Sequence, residues 1–232
     1  MNELILIASL LVEFGLVLLA YRLFGKAGLY AMTVLCTVAA NIEVMILVRA
    51  FGLDQTLGNI LFACTFVITD ILSENHGKDS ANKAAKISIF VTAAFMLLTQ
   101  SWLLYTPAAE DNVMDSVRVL FANTPRVMLS SLAVCAVTQL FDVWLYHKLW
   151  DFTTKKFGDS KKFLWLRNNT ATLTSQLINA VLFTLGAFAG LYSAPVIVSI
   201  AASSYIIFAV TALLDTPVVY IARRMKEKYK LD

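Results

Sequence analysis

The stretch FVITDILSENHG (Phe66–Gly77) decides the fold, because it places acidic residues within and just beyond a long apolar run. Asp70 lies inside the run, and Glu74 follows one helical turn later on the same face. A carboxylate at the centre of a bilayer costs about 2.5–3.5 kcal/mol on insertion scales, so each intramembrane acid needs a partner or a water-filled cavity. The stretch therefore predicts a membrane helix with a polar site near one end.

Composition extends this prediction to the whole chain. Of its 232 residues, 59% are hydrophobic and 15% are charged, against roughly 45–50% and about 25% in a typical soluble domain. A helix that crosses a bilayer needs about 20 mostly apolar residues. The sequence predicts an all-α integral membrane protein, a polytopic helical bundle forming a single transmembrane domain over residues 1–232, with spans at residues 4–21, 29–48, 57–72, 87–105, 127–145, 171–191 and 196–222.

The distribution of Lys and Arg supports seven spans and gives their direction. Sixteen of the 19 basic residues follow the first, third, fifth and seventh spans, and the other three are Arg49, Arg118 and Arg126. Cytoplasmic loops carry such an excess of positive charge. We therefore expect the N-terminus outside and the C-terminus in the cytoplasm, with Asp70 and Glu74 near the cytoplasmic surface.

Polar side chains accumulate at this same end of three predicted spans. In the fifth span, Gln139 and Asp142 are three residues apart, and in the sixth a polar stripe follows one helix face from residue 172 to residue 179. One polar chamber, open or gated toward the cytoplasm, would provide hydrogen-bond partners for all of these side chains. The candidate site residues are Asp70, Glu74, Gln139, Asp142, Arg167, Asn168, Thr172, Gln176 and Asn179.

Other interpretations of several polar residues stay open. Glu74 also fits a solvated or capping position, and capping is the stronger interpretation for Asn168 and Thr170. Glu13 and Glu43 are intramembrane acids whose neighbours in the sequence define no role.

Three further patterns concern helix shape and packing. Asp215 and Pro217 in the last span predict a kink, because proline removes a backbone donor, and we expect a possible gating role there. The small residues of Gly186–Gly190 fit either internal helix packing or a homodimer contact. Apolar residues at helical spacing within residues 106–125 predict a short helix on the outer surface.

The sequence predicts no metal site, no cofactor and no nucleic-acid surface. His76 and His147 have no zinc-binding spacing, and the three cysteines fall in separate spans, as small core residues would. The basic and aromatic loop at residues 148–169 is typical of a segment that faces anionic lipid headgroups.

Four segments resemble the queuosine precursor transporters, a family within the vitamin uptake transporters. They are TDILSENHGKDSA (Thr69–Ala81), QLFDVWLYHKLW (Gln139–Trp150), LWLRNNTATLTSQLINAVLFT (Leu164–Thr184) and LLDTPVVYIARR (Leu213–Arg224). The resemblance covers nearly the whole chain from about Asn41. It implies an inner-membrane importer of 7-deazaguanine precursors for tRNA modification: 7-cyano-7-deazaguanine, its aminomethyl counterpart or queuine. It also implies a core of six spans, to which this chain adds an N-terminal helix.

The resemblance implies roles for individual residues. Asp70 and Glu74 match the acidic pair of the family pattern, and its other polar positions are matched by Gln139, Asp142, Arg167, Asn168, Thr172 and Gln176. Three positions depart from the pattern, which usually has aspartate at Asn179 and often has lysine at Phe208 and at Ile46. Losing an acid and a base together is what removal of an intramembrane ion pair would produce.

The chemistry of a deazaguanine base suggests partners without choosing among them. Its adjacent N–H donors suit one carboxylate, either Asp70 or Asp142, and its carbonyl group suits an amide, either Gln176 or Asn179. Aromatic residues available for stacking are Trp102, Phe141 and Trp144.

Two rival functions stay open at this point. A substrate-binding membrane component of an ATPase-energised uptake system would have the same polar spans. A membrane-embedded hydrolase with Asp70 and Asp142 as acid and base is more remote, because the sequence contains no GxGD, nucleophile elbow or zinc motif.

Overall fold

The computed structural model describes residues 1–121, 125–159 and 161–232 and, at residues 47, 53–55 and 125, the backbone alone. This part of the chain is almost entirely helical, as the composition predicts. Its helices are α1 (Asn2–Glu43), α2 (Gly58–His76), α3 (Lys78–Trp102), α4 (Met114–Phe121), α5 (Pro125–Phe157), α6 (Leu164–Phe188) and α7 (Ala194–Tyr229). An antiparallel hairpin of β1 (Leu47–Ala50) and β2 (Leu53–Thr56), not predicted from the sequence, joins α1 to α2.

Helix α1 doubles back on itself at Gly25. This glycine has φ 56° and ψ −139°, a conformation that is essentially restricted to glycine, and a Cβ atom there would collide with the backbone oxygen of Asp232. A straight helix of 42 residues would be about 63 Å long, yet the Asn2 side chain donates to the Arg49 carbonyl oxygen at 2.9 Å. Residues 2–24 and 26–43 are therefore two antiparallel segments, which match the first two predicted spans.

Contacts between helix termini define two ends of the bundle. At the hairpin end, which contains β1, β2 and α4, the Arg126 side chain donates to the Gly186 carbonyl oxygen at 2.7 Å. At the basic end, which contains the α5–α6 loop and the last turns of α7, Arg223 donates to the Lys161 carbonyl oxygen at 3.0 Å. The long helical segments of the described chain alternate in direction between these ends, as the Lys and Arg pattern predicts.

Several helices have bounds that differ from those of the predicted spans. The second predicted span, residues 29–48, extends past Glu43 into strand β1, because hydropathy does not separate a short apolar strand from a helix end. Helices α3 and α6 begin before residues 87 and 171, and α5 continues past residue 145. These additional turns contain Ala, Lys, Leu and Arg, which are good helix formers.

Helix α2 is enclosed by other helices. Its residues 66–72 are all buried, and it packs against α1, α3, α5 and α7. Among the described residues, five helices are long and apolar enough to cross a membrane, namely α1, α3, α5, α6 and α7. The third predicted span, residues 57–72, falls on α2. This helix is largely buried by its neighbours and is not among these five helices.

The short helix predicted within residues 106–125 is present as α4. Phe121 of α4 forms a T-shaped contact with Trp102, with ring centroids 5.9 Å apart, while residues 122–124 lie outside the described part. The small residues at the end of α6 serve a contact inside the bundle, since a Cβ atom on Gly186 would lie 2.8 Å from the Ser130 hydroxyl oxygen. This supports the internal-packing interpretation of Gly186–Gly190.

Candidate functional site

A cavity lies in the hairpin half of the bundle, bounded by α1, α2, α3, α5, α6 and α7. It contains about 650 Å³ of empty space, a figure that includes open solvent at its mouth. Asn59 belongs to the first turn of α2 and Thr184 to the last two turns of α6, so the cavity extends from mid-bundle toward the hairpin end.

The cavity lining is polar but uncharged. Among the described residues, no Asp, Glu, Lys or Arg side chain contributes to it. Six Ser and Thr hydroxyl groups lie around it, together with three amides and three aromatic rings: Asn41, Asn59, Asn179, Phe62, Phe183 and Phe208. Such a lining offers hydrogen bonds and flat apolar faces without an electrostatic preference for an ion.

Two buried polar groups of the lining have no hydrogen-bond partner within the described chain. They are the Thr184 hydroxyl, on a residue that is 1% exposed, and the Asn59 side-chain nitrogen. The Asn59 side-chain oxygen is engaged, since it accepts from the Thr56 hydroxyl at 3.1 Å. Buried polar groups are rarely left unpaired in folded proteins. In this conformation these two groups lack, among the described residues, the partner that buried polar groups usually have.

A layer of three buried carboxyl groups lies toward the basic end, formed by Asp70, Asp142 and Asp215. Each lies within electrostatic range of the others. The Thr172 hydroxyl donates to Asp70 at 3.1 Å, and the Asn168 amide donates to Asp215 at 2.8 Å. Asp142 lies beside the Ser175 hydroxyl of α6 and has no closer polar partner among the described residues. The layer thus concentrates acidic groups that their neighbours satisfy only in part.

An ion-pair cluster closes the basic end beyond this layer. The Glu74 side chain, 3% exposed, contacts Arg167 through two guanidinium nitrogens and Arg223 at 3.1 Å. The Tyr146 hydroxyl donates to the same carboxylate at 2.8 Å, and the Arg167 guanidinium lies 4.1 Å from the centre of the Trp150 ring. The cluster ties α2, α5, α6 and α7 together at the basic end.

The loop at the basic end has its own local order. Asp159 accepts hydrogen bonds from the backbone N–H groups of Lys161 at 2.7 Å and Lys162 at 3.1 Å. These bonds stabilise the carboxylate and lower the pKa of Asp159 from its ordinary value. The side chain is exposed, so this turn shapes the loop without contributing to the buried cluster.

The structure separates the predicted site residues into three groups. Asn179 lines the cavity, and Glu74 and Arg167 belong to the ion-pair cluster. The other six, in and around the carboxyl layer, are Asp70, Gln139, Asp142, Asn168, Thr172 and Gln176. They are packed and buried in this conformation, so their contact with a substrate stays a prediction.

The structure also settles some of the alternatives left open by the sequence. Asn168 lies inside α6, which begins at Leu164, and its side chain bonds to Asp215, so the capping interpretation of Asn168 is wrong. Glu74 is neither solvated nor a cap. Glu13 accepts a hydrogen bond from the Cys64 thiol at 3.2 Å, which pairs the first helical segment with α2. Helix α7 continues through Pro217 to Tyr229.

Sequence reasoning missed most of the cavity. None of the expected stacking residues Trp102, Phe141 and Trp144 lines it, and Trp102 and Trp144 are 41% and 44% exposed. Phe62 and Phe183 gave no signal, because a phenylalanine within an apolar run is indistinguishable from a lipid-facing one. Two of the three departures from the family pattern, Asn179 and Phe208, do line the cavity. The third, Ile46, is 41% exposed and lies outside it.

Comparison with known proteins identifies the family. A family model described as "Putative vitamin uptake transporter" matches residues 56–222. The chain belongs to this family. The chain is also 35% identical, over 215 residues, to the "Probable queuosine precursor transporter" of Bacillus subtilis (strain 168), with 93% of this chain and 92% of the relative covered. No solved structure matches the chain.

This family membership agrees with the helical architecture. The vitamin uptake transporter family and the long apolar helices together make the chain a multi-pass membrane protein with a transport role. The described residues contain no cluster of His, Cys, Asp and Glu arranged to hold a metal ion.

Proposed function

We propose that this protein imports 7-deazaguanine precursors of queuosine across the cytoplasmic membrane by alternating access. The proposal takes its substrate class from the name of the Bacillus subtilis relative and from the resemblance of four sequence segments. In this proposal the whole chain forms a single transmembrane domain that crosses the bilayer seven times.

The observation that carries the proposal is the contrast between an accessible cavity at one end and a locked cluster at the other. The cavity offers aromatic faces, amides and hydroxyl groups of the kind that bind a planar base. The opposite end is closed by Glu74, Arg167 and Arg223. A transporter that exposes its site to one side at a time needs this asymmetry in each of its end states.

The charge distribution supports an orientation for this state. The basic end holds the Lys-rich and Arg-rich segments, and such segments face the cytoplasm. The hairpin end and its cavity would then face outward, ready to receive a base from outside the cell. Release inside the cell would require the ion-pair cluster to separate.

The carboxyl layer lies on the route between the two ends. When the basic end opens, Asp70, Asp142 and Asp215 would become accessible to the base or to protons. Pro217 is close to this level in α7, and its missing N–H group weakens the helix where a gating movement needs it. In this proposal the layer couples movement to transport, and the cavity performs recognition.

The experiment is to measure queuosine in tRNA from a host that lacks its own precursor synthesis and its own importer. Cells that express this chain are supplied with a low concentration of a deazaguanine precursor. We expect queuosine to reappear with the chain and to stay absent with the empty vector and with the variant Glu74→Gln/Arg167→Met. Absence of queuosine with every precursor, when the wild-type protein is folded in the membrane, would reject the proposed substrate class.

A further inference from the structure

Resting on the proposed function, we propose that the cavity is the site where the base is recognised, and that it accepts a neutral base in preference to one that carries a cationic amine. Among deazaguanine precursors, the cyano-substituted base is neutral and the aminomethyl-substituted base is a cation at neutral pH. The cavity would distinguish these two bases by the charge of their substituent.

The uncharged lining is the first argument. A cation that enters a membrane-embedded site is best stabilised by a carboxylate or by oriented carbonyl oxygens, and phenylalanine rings offer it only a weaker cation–π attraction. No acidic side chain lines the cavity among the described residues. A neutral base leaves only ordinary polar groups to be satisfied, and amides and hydroxyl groups can do this.

The unpaired polar groups supply the second argument. The Asn59 side-chain nitrogen is a donor, and the Thr184 hydroxyl can donate or accept. A deazaguanine ring has a carbonyl oxygen, ring nitrogens and an amino group on its edges. A cyano group is a further acceptor, so the neutral base can occupy groups that the protein itself leaves free.

The aromatic side chains supply the third argument. The rings of Phe62 and Phe208 lie 6.3 Å apart at 59° to each other, and Phe183 contributes a third ring to the cavity wall. Flat apolar faces bind a planar heterocycle by stacking whether or not it is charged. Stacking therefore fixes the plane of the ring, and the edge contacts decide which substituent is tolerated.

The separation between Asn179 in the cavity and Asp70 in the carboxyl layer is the fourth argument. Asn179 lines the cavity, whereas Thr172, seven residues earlier in α6, contacts Asp70. Seven residues of helix correspond to about 10 Å, while an aminomethyl arm extends only about 2.5 Å from its ring. A base held beside Asn179 therefore lies nearer the hairpin end than Asp70, beyond the reach of so short an arm to that carboxyl group.

The test is competition for binding to the full chain purified in detergent. Radiolabelled cyano base is displaced by unlabelled cyano base or unlabelled aminomethyl base. We expect the aminomethyl base to compete at least tenfold more weakly at pH 7, and its apparent affinity to rise with pH as its amine loses the proton, while that of the cyano base stays constant. Equal competition at pH 7, or no binding of the cyano base, would overturn the inference.

A gain-of-function variant locates the preference. Asn179→Asp changes the cavity by one charge at nearly constant shape, so the aminomethyl base should gain at least tenfold in affinity relative to the cyano base. The control Asn169→Asp makes the same change ten residues earlier in α6, outside the cavity, and should leave the ratio at the wild-type value. Thermal unfolding of each purified variant verifies folding. A folded Asn179→Asp protein with an unchanged ratio would show that the base binds elsewhere.

The two proposals fail in different ways. If cells that express the chain restore queuosine equally well from low concentrations of either precursor, the proposed function stands and the preference for a neutral base is overturned. If the cyano base binds the purified chain with the expected selectivity but restores no queuosine, the inference stands and import of this precursor is rejected.

Discussion

The two halves of this bundle use polar residues in opposite ways. At the basic end, charged groups are numerous and bind one another, as Glu74 does with Arg167 and Arg223. In the cavity of the hairpin half, the lining polar groups are neutral, and the Thr184 hydroxyl is one that has no partner within the described chain. Charged side chains in a membrane protein can therefore serve to hold helices together, while the polar groups that would bind a ligand can be neutral residues that are harder to recognise in the sequence.

The largest effect should come from disrupting the ion-pair cluster at the basic end. Arg167→Met removes a fully buried cation and should lower the free energy of unfolding by about 3–5 kcal/mol, because Glu74 loses its closest partner. Thermal unfolding in detergent measures this. The control Arg118→Met removes an exposed cation of α4 and should change stability little.

The double variant Glu74→Gln/Arg167→Met sharpens the same prediction. It leaves no buried unpaired charge, since Arg223 is partly exposed and can reach water. We expect it to recover part of the lost stability, although it should not restore transport. If Arg167→Met alone unfolds like the wild type, the cluster does not hold the basic end closed.

The carboxyl layer should show an effect on energetics and not on folding. Asp142→Asn replaces a buried carboxyl group by an amide of nearly the same shape that can still contact the Ser175 hydroxyl, so the variant should fold well. If transport is proton-coupled, accumulation in proteoliposomes with a proton gradient should fall at least tenfold while substrate exchange continues. Asp115→Asn, on the exposed helix α4, is the matched control. Unchanged accumulation in Asp142→Asn would exclude this residue from coupling.

The cavity should show the reverse pattern, with weaker binding and unaltered stability. Thr184→Val removes one unpaired hydroxyl group and should weaken binding of the base roughly two- to tenfold, the equivalent of one ordinary hydrogen bond. Thr153→Val removes a hydroxyl group that bonds within α5 at the basic end and should leave affinity unchanged. Equal affinities for the wild type and Thr184→Val would remove this hydroxyl from the site.

The smallest effect is expected in the exposed loop of the basic end. Because folding lowers the pKa of Asp159, its contribution to stability is present above the ordinary value of 3.8 and disappears as pH falls through the lowered pKa. Asp159→Ala should therefore lower Tm slightly at neutral pH, and the difference from the wild type should shrink in acid. Asp159→Asn keeps an acceptor for the two N–H groups and should lie between them.

The sequence was most informative where physical chemistry allows few solutions. Apolar segments separated by basic loops predicted helical segments that alternate in direction, and the fold-back of α1 at Gly25 agrees with two separate spans. The hairpin after Glu43 was missed because its apolar residues continue the hydropathy of the preceding helix. Hydropathy measures solubility in lipid and does not report backbone conformation.

The candidate site was predictable only in part, for a similar reason. Charged and amide residues such as Asp142 and Gln176 stand out in an apolar span, and both are buried in the bundle. Their partners depend on tertiary structure, and no sequence spacing links Glu74 to Arg223. Serine, threonine and phenylalanine are ordinary in membrane helices, so the lining of the cavity could not be separated from packing residues.

The enclosed position of α2 has a consequence for how the protein is made. A helix that the other helices surround needs little apolar surface, and α2 is not among those apolar enough to cross a membrane by composition. Such a segment partitions weakly into lipid when it leaves the ribosome. We expect α2 to enter the bilayer only once the fold-back pair of α1 is there to receive it, so that biogenesis of the whole protein depends on the order in which its helices emerge.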